Sequence, residues 1–343
     1  MEDLRSLTRE ERKQLLKEMG QPAYREKQIF KWICRGASSI DEMTDLPASL
    51  REALKERSSF EGPETAAVQT SSDGTRKYLL RFSDGNCVEA VFMRYDYGNS
   101  LCISTQVGCA MGCRFCASTI GGKVRDLKAW EMLSEYTSVF RDTGLPINHV
   151  VLMGIGEPFD NYKEVCRFLS DIHDPDGIGL SLRNITVSTC GIVPKIEAFG
   201  RDFPQVNLAI SLHASDQQER EALMPIAKAY DIDALLAACR AHGEATGRRV
   251  TFEYTLIEGK NDSEKSARAL ASLLKGMLCH VNLIPLNPVA ETGLKSSGRE
   301  RAEEFRSYLE AHGVPATIRR RLGADIDAAC GQLRKNTSTE VKR

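Results

Sequence analysis

Leu101-Cys102-Ile103-Ser104-Thr105-Gln106-Val107-Gly108-Cys109-Ala110-Met111-Gly112-Cys113-Arg114-Phe115-Cys116 runs from an apolar, strand-like segment into three cysteines spaced C-x3-C-x2-C. Three thiolates are one short of the four cysteines that usually cage a [4Fe–4S] cluster. A cluster held this way keeps one iron open to a small-molecule chelator. Zinc would need a fourth ligand at matching spacing, and none of the 6 His lies within about thirty residues of the triplet. A disulfide framework belongs to short secreted chains, whereas this one has 343 residues and an odd 11 Cys. Iron–sulfur, zinc and plain buried cysteines are the three readings of the triplet, in that order of fit.

Around the cysteine loop the chain alternates strand-like and helical patterns. Strands are expected at Leu101–Thr105, His149–Met153, Asn184–Ser188, Asn207–Ser211, Val250–Leu256 and His280–Ile284. Amphipathic helices are expected at 128–142, 161–173, 193–200, 217–223, 231–246 and 263–276. Six β/α repeats predict an α/β fold with a parallel sheet, open or closed into a barrel, whose functional residues collect at the C-terminal strand ends. The cysteine loop, Gly154-Ile155-Gly156-Glu157 and Ser211-Leu212-His213 all fall there.

The N-terminal part reads differently. Thr8-Arg9-Glu10-Glu11 is a capping-box pattern that opens a helix ending at Gly20. A second helix is expected at 25–34, and Pro47 opens a third. Three short helices bury little alone, so this unit must pack on, or bind, something. Asp73-Gly74 and Asp84-Gly85 then mark hairpin turns between strands near 66–71, 76–82 and 87–94. The expected division is a helical unit (1–60), a β-hairpin linker (61–99), a β/α core (100–290) and a C-terminal helix, strand and segment (291–343).

Hydrophobic content of 42% and charged content of 27% suit a soluble chain with a real core. The start, Met1-Glu2-Asp3-Leu4-Arg5, shows no apolar leader and no long uncharged apolar run follows. No membrane partner is expected, and the expected compartment is the cytoplasm, where thiols stay reduced. A net charge of −1 does not itself point to nucleic acid. Basic runs at Lys123-Val124-Arg125, at Arg319-Arg320-Arg321 and in the tail from Arg334-Lys335 to Lys342-Arg343 are either solvated surface or RNA contacts.

Two further features bear on chemistry. In Gly154-Ile155-Gly156-Glu157-Pro158, glycines let a ligand approach the backbone and a carboxylate can accept bonds from an ammonium group. An ordinary β/α turn would carry glycine too. Cys330 sits in Ala328-Ala329-Cys330-Gly331-Gln332, without the bulky apolar flanks of a structural cysteine. Nucleophile and inert thiol are equally good readings of it from spacing alone. Phe115 reads equally as a core aromatic.

The triplet resembles that of radical S-adenosylmethionine (SAM) enzymes, in which the amino and carboxylate groups of SAM fill the open iron position. The Gly-Glu turn resembles the motif that holds the methionyl amine there. Cys102-Ile103-Ser104-Thr105-Gln106-Val107-Gly108-Cys109, Gly156-Glu157-Pro158, Asn282-Leu283-Ile284-Pro285-Leu286-Asn287-Pro288 and Asp325-Ile326-Asp327-Ala328-Ala329-Cys330-Gly331-Gln332-Leu333 occur in the same order in one family. That family is the radical SAM RNA methyltransferases acting on adenine carbons, of the RlmN/Cfr type, and the similarity spans almost the whole chain.

The resemblance implies a partial (β/α)6 radical SAM barrel with a small N-terminal helical domain. It implies a [4Fe–4S] cluster on Cys109, Cys113 and Cys116, with SAM lined by Gly156, Glu157, Ser188, Ser211, Leu212, His213 and Asn287. Adenine C2 is electron-poor and does not displace a methyl from SAM, whereas a thiolate does. The cysteine matching Cys330 takes that methyl, and a radical made from a second SAM removes hydrogen from it. The resulting carbon radical adds to the base. Cys102 helps resolve the protein–RNA adduct through a transient disulfide with Cys330, and Glu89 matches the proton acceptor; without the resemblance Glu89 would read as an outward strand charge. The implied partners are 23S rRNA, at the adenosine numbered 2503, certain tRNAs, at the adenosine numbered 37, and an electron donor such as flavodoxin. The implied state is a monomer.

The competing readings are the C8-methylating resistance branch, a non-enzymatic iron–sulfur RNA-binding protein, and a radical SAM enzyme of small molecules or peptides. Gly156-Glu157-Pro158 and Asn282–Pro288 favour the C2 group, although Ile155 and Phe159-Asp160 depart from its usual form. A non-enzymatic protein would have no use for Cys330 or Cys102.

Overall fold

The structure is a computed structural model that describes residues 1–334. A two-residue parallel pairing of β1 (Glu2–Asp3) with β2 (Ser58–Ser59) ties together the ends of the first unit. Between them lie α1 (Arg9–Glu18), α2 (Arg25–Cys34) and α3 (Ala48–Arg57). Helix α1 begins where its sequence says it should. Thr8 Oγ1 accepts from Glu11 N–H at 3.2 Å, and the Glu11 carboxylate accepts from Thr8 N–H at 2.6 Å. Leu4, Leu16, Ile29, Met43 and Leu54 form its interior.

That small interior also encloses an ion pair. Arg12 bonds Glu26 at 2.9 Å, with side chains only 4% and 0% exposed. Arg9 reaches the same carboxylate at 3.0 Å, then spans to Asp174 at 2.9 Å and Asp176 at 2.8 Å in the β/α core. Arg5 lies over the rings of Phe60 and Trp130 at 4.6 and 4.8 Å. The helical unit thus packs on the rest of the chain, as its size requires.

β3 (Glu64–Thr70), β4 (Arg76–Arg81) and β5 (Cys87–Tyr95) form antiparallel hairpins whose turns fall at Asp73-Gly74 and Asp84-Gly85. β5 pairs antiparallel with β6 (Gly98–Cys102), which opens the parallel series. A short ladder of β7 (Gln106–Val107) and β8 (Arg125–Asp126) precedes α4 (Ala129–Thr143). Then follow β9 (His149–Leu152), α5 (Tyr162–His173), β10 (Ile185–Thr189), α6 (Val193–Asp202), β11 (Asn207–Ser211), α7 (Gln217–Leu223) and α8 (Ile232–Thr246). The series ends with β12 (Val250–Leu256), α9 (Glu264–Leu274), β13 (Cys279–Pro285), α10 (Arg299–Ala311) and β14 (Ala316–Ile318).

The large sheet has the order β14-β13-β12-β11-β10-β9-β6-β5-β4-β3, and its two edges do not meet. Short β14 adds a seventh parallel strand to the six read from repeats. The first strand ends at Cys102 rather than Thr105. Ser104 has left the ladder, its hydroxyl donating to Glu89 O at 2.8 Å and its N–H to the Glu135 carboxylate at 3.0 Å.

Side chains alternate along the parallel strands. Val187, Leu208, Ile210, Phe252, Tyr254 and Val281 pack in the helix-covered core. Their neighbours Thr186, Ser188, Asn207, Ser211, Thr251, Glu253 and Asn282 line cavities on the concave side. Parallel strands buried on both faces are usually continuous apolar runs, so this alternation marks a hollow interior. No helix among the described residues is long and apolar enough to cross a membrane.

Removing one partner of a buried, hydrogen-bonded ion pair costs about 3–5 kcal/mol. Glu26→Ala, which strands Arg12 and leaves Arg9 only its two aspartates, is expected to lower urea-unfolding stability by about that amount. An unchanged denaturation midpoint would show that the pair contributes nothing.

Candidate active site

The β7–β8 ladder, pairing Gln106 with Asp126 and Val107 with Arg125, closes the base of the cysteine loop. Inside it Arg114 N–H donates to Leu223 O at 3.0 Å and Cys116 N–H to Cys113 O at 3.2 Å. Cys109, Cys113 and Cys116 all line one cavity at the C-terminal ends of the strands. Burial pushes the Cys109 thiol up to about 12, and raises Cys113 and Cys116 as well. Such thiols ionise when a metal takes the proton's place. Among the described residues no three His, Cys, Asp or Glu side chains converge on a single-ion site.

Arg220 on α7 supplies the local test of what this loop suits. Its side chain is fully buried and lies close to Cys190 and Cys113. Nη2 donates to Cys190 O at 2.6 Å, Nε has no partner, and no carboxylate pairs with it among the described residues. A buried cation without a counter-charge is costly. Neutral thiols leave it so; thiolates bound to iron would supply the negative charge. The three cysteines and Arg220 therefore fit an anionic iron–sulfur cluster.

Across the cavity, the β9 turn is built around Gly156. Its φ of +110° suits glycine, and a Cβ there would come within 2.7 Å of Gln106 Cβ. Gln106 Oε1 accepts from Glu157 N–H at 2.9 Å, while its amide donates to Asp126 at 2.7 Å and Asp160 at 2.9 Å. Asp160 also pairs with Lys123 at 2.8 Å. The unusual Ile155 and Phe159 are core residues. All three departures from the family's usual form are thus packed or paired supports of the turn.

Glu157 is 4% exposed, and its carboxylate accepts Phe159 N–H at 2.9 Å and Cys190 N–H at 2.7 Å. Burial raises its pKa, and those backbone bonds oppose the rise. Each carboxylate oxygen retains capacity for one further donor, which suits an ammonium group in the cavity. Ser188, Ser211, His213 and Asn287 line the same space.

His213 is held with φ +55°, and its Nδ1 accepts from Thr255 N–H at 2.9 Å. The ring proton therefore sits on Nε2, offering a donor to the cavity. Burial, with Arg220 nearby, lowers its pKa to about 3, so the ring is neutral. Phe115 meets His213 edge-on at 4.7 Å and lines the same cavity. Leu212 does not join this lining: its side chain is fully buried and its N–H donates to Glu253 O at 3.1 Å.

Cys330 enters from the opposite direction, on the segment after β14. Asn287 Nδ2 donates to Cys330 O at 3.0 Å, Ala117 N–H to Gly331 O at 2.7 Å, and Ser118 Oγ to Leu333 O at 2.8 Å. The far side of the segment is clamped to the β3–β4 turn. Asp325 accepts from Ser71 Oγ at 2.5 Å and Ser72 N–H at 3.0 Å, and Asp73 accepts from Gly323 N–H at 2.8 Å. Partial burial would raise Asp73, but its bonds to Gly323, Thr75 and Ser71 prevail and hold it at about 2.

Cys330 lines the cavity of the triplet and also an adjoining one with Cys102 and Arg319. Burial, reinforced by nearby Cys330, pushes the Cys102 thiol far up, with Arg319 opposing. All cysteines among the described residues are free thiols.

Glu89 stands apart from both cavities. It is 4% exposed, pairs with Lys77 at 3.1 Å and accepts Arg334 N–H at 2.8 Å. Lys77 also donates to Asp327 O at 3.3 Å, so this pair fastens the Cys330 segment to the hairpin sheet. Burial raises the Glu89 pKa, with Lys77 opposing.

The basic Lys123–Arg125 stretch is occupied internally. Lys123 pairs with Asp126 and Asp160, and Arg125 with Glu131 at 2.7 Å and Asp84 at 2.5 Å. The tail beyond Arg334, read as either solvated surface or an RNA contact, lies outside the described residues. Arg319, by contrast, turns inward, 3.7 Å from Glu253 and from Met153 Sδ, and lines the cavities around Cys330. Its only sequence signal was a basic run at a strand end. Gln106 lay inside a quoted motif without a role, and buried Arg220 left no signal in a helix of charged residues.

Comparison with known proteins agrees with this architecture. Residues 103–271 match the family model of the Radical SAM superfamily, and residues 2–59 that of the ribosomal RNA large subunit methyltransferase N-terminal domain. The probable dual-specificity RNA methyltransferase RlmN of Lachnospira eligens is 48% identical over 343 residues, covering 99% of this chain and 98% of the relative. That of Alkaliphilus oremlandii is 50% identical over 334 residues, covering 97% of each. The crystal structure of a radical SAM methyltransferase from Sphaerobacter thermophilus superposes with a TM-score of 0.93 at 44% identity, covering 97% of this chain and 99% of that one. With relatives this similar along nearly its full length, the chain belongs to the RlmN family of radical SAM RNA methyltransferases.

Proposed function

We propose that this enzyme methylates C2 of an unpaired adenine in RNA, at the adenosine numbered 2503 of 23S rRNA and the adenosine numbered 37 of certain tRNAs, with Cys330 as methyl carrier. The observation that carries this reading is the double placement of Cys330. It lines the cavity of Cys109, Cys113, Cys116 and Glu157, and it shares a second cavity with Cys102. An iron–sulfur binding protein needs only the first of these placements, and most radical SAM chemistry needs no second thiol.

Held by Cys109, Cys113 and Cys116, a [4Fe–4S] cluster supplies, when bound and reduced by a donor such as flavodoxin, the electron that splits SAM into methionine and a 5′-deoxyadenosyl radical. Glu157 receives the methionyl ammonium, while Ser188, Ser211, His213 Nε2–H and Asn287 orient the rest of SAM. Leu212 contributes through its backbone, at the turn that sets His213. The Asn287 and Ala117 bonds hold Cys330 against that cavity, where its sulfur takes a methyl from SAM. The 5′-deoxyadenosyl radical takes a hydrogen atom from the S-methyl group to become 5′-deoxyadenosine. The carbon radical left behind adds to adenine, which must be unpaired or flipped for its edge to be reached. The adduct then gives up one electron, which an oxidised cluster would take back. Cys102, next to Cys330, attacks the Cys330 sulfur as its thiolate: the Cys102–Cys330 disulfide forms, the sulfur–carbon bond to the adduct breaks, and the released carbon takes a proton to complete the new methyl group. Glu89 takes the proton lost from the base; its raised pKa makes it a stronger base than an ordinary carboxylate. Reaching it requires the Lys77 and Arg334 contacts to loosen.

The deciding experiment combines anaerobic cluster reconstitution, SAM, reductant and unmodified 23S rRNA or tRNA, with mass spectrometry of digested nucleosides. 2-Methyladenosine is expected from the wild type and none from Cys330→Ala, which should still cleave SAM. 8-Methyladenosine would assign the other carbon, and SAM cleavage without methylated adenosine would overturn the RNA reading.

Cys102→Ala is expected to arrest as a covalent protein–RNA adduct, visible as a retarded band on denaturing gels. The attacking form of Cys102 is its thiolate, and burial keeps the thiol protonated at neutral pH. Resolution of the wild-type adduct should therefore accelerate with rising pH, by about tenfold per unit between pH 7 and 9. A pH-independent rate would show that Cys102 is not the resolving group.

A further inference from the structure

A second cavity on the concave side is larger than the one that holds the cysteines. It lies toward the N-terminal ends of the parallel strands, where Thr186, Asn207 and Thr251 line it, and reaches the seam formed by the β5–β6 turn and the residues after β14, with a volume near 710 Å³. Arg248, Arg249, Arg319 and Arg320 line it, and the one carboxylate among its lining residues is Glu253. Arg319 bridges to the catalytic side, since it lines the cavities of Cys330 as well.

At the seam stands a pair of tyrosines. Tyr95 and Tyr97 stack with ring centroids 4.8 Å apart and planes at 12°, and His149 braces Tyr97 edge-on at 5.6 Å. Tyr97 is nonetheless 69% exposed. It sits within the tight turn that the Tyr95–Gly98 pairing closes, a position that needs no aromatic ring for packing. A ring stacked on one face and solvated on the other is a platform for a further π-surface. Arg249 and Arg320 are exposed and form no ion pair among the described residues, so their charge is available to an anion.

We propose that this seam is where the RNA strand lies, with the base of a nucleotide flanking the target adenosine stacked on Tyr97 and its phosphates against Arg249 and Arg320. The proposal rests on the RNA reading above and adds to it the element that receives the neighbouring nucleotide. Stacking on an aromatic ring beside arginines is how single strands are held with little sequence preference. A membrane or protein partner would not match a cavity of four guanidiniums and polar strand residues.

The test is binding of a fluorescent RNA stem-loop with an unpaired loop adenosine, carrying 2-aminopurine beside that adenosine. Tyr97→Ala should weaken binding by about 5- to 150-fold, the range of one base–aromatic stack, and Tyr97→Trp should restore it. Quenching of 2-aminopurine on binding should be seen with wild type and Tyr97→Trp and lost in Tyr97→Ala. Arg249→Ala and Arg320→Ala should each make the salt dependence of log Kd shallower by about 0.7 for every phosphate the variant no longer neutralises. SAM cleavage without RNA should be unchanged in all of these variants. Equal affinity, quenching and salt slope in wild type and variants would overturn the proposal, and so would loss of SAM cleavage in Tyr97→Ala. Because binding is read independently of chemistry, a wild type that binds RNA yet forms no methyladenosine would refute the proposed function alone.

Discussion

A sheet whose inner face carries polar side chains along β10, β11, β12 and β13 cannot close around a dry core, and the rest of the molecule follows from that. Glu253 shows why. Burial raises its pKa, and it is held by Asn282 Nδ2 at 2.9 Å and by Arg319 at 3.7 Å. Packed against hydrocarbon instead, such groups would lose water without gaining partners. The edges β14 and β3 stay apart, and the interior is left as a run of cavities. Helices cover only the convex side, so stability comes from one face and chemistry from the other.

Within that frame the cysteine loop and the Cys330 segment are mutual supports. The loop donates Ala117 N–H and Ser118 Oγ to the segment's backbone, and β13's continuation adds Asn287. Beyond the β7–β8 ladder and single 3-10 turns at Ala117–Thr119 and Ala324–Ile326, neither piece has regular structure of its own. Each is ordered by satisfying the other's backbone groups, which buried polypeptide requires. The cysteine triplet and Cys330 are therefore held relative to one another by bonds to the main chain rather than by side-chain packing alone.

Much of this was legible in the residues. Thr8 and Glu11 announced α1, the Asp-Gly pairs announced the hairpins, and alternation of strand and helix patterns announced the parallel series. These signals are local, set by backbone geometry within a few residues. What escaped was everything decided by distant partners. Lys123 and Arg125 looked like an exposed basic patch until Asp160, Glu131 and Asp84 arrived from elsewhere in the chain. Arg220 reads as a surface charge on a short helix, yet it is buried beside thiols. Glu89 carried a role by resemblance alone; its partners Lys77 and Arg334 reveal that it also anchors the C-terminal segment. Arg319 was hidden in a run of three arginines, of which it is the one the fold half-buries, 3.7 Å from Glu253.

The clamp between the β3–β4 turn and the Cys330 segment has an evolutionary consequence. Asp73 and Gly323 are 250 residues apart in the chain, yet each completes the other's bonding, and Asp325 returns the favour to Ser71 and Ser72. Gly323 adds a steric condition, since a Cβ there would sit 2.6 Å from Ala328 Cβ at a φ of +64°. A change on either side is thus tolerated only with its counterpart. Recombination between relatives would succeed when hairpin turn and C-terminal segment are inherited together, and would misplace the thiol when they are exchanged separately. Two short stretches at opposite ends of the gene are bound into a single heritable unit.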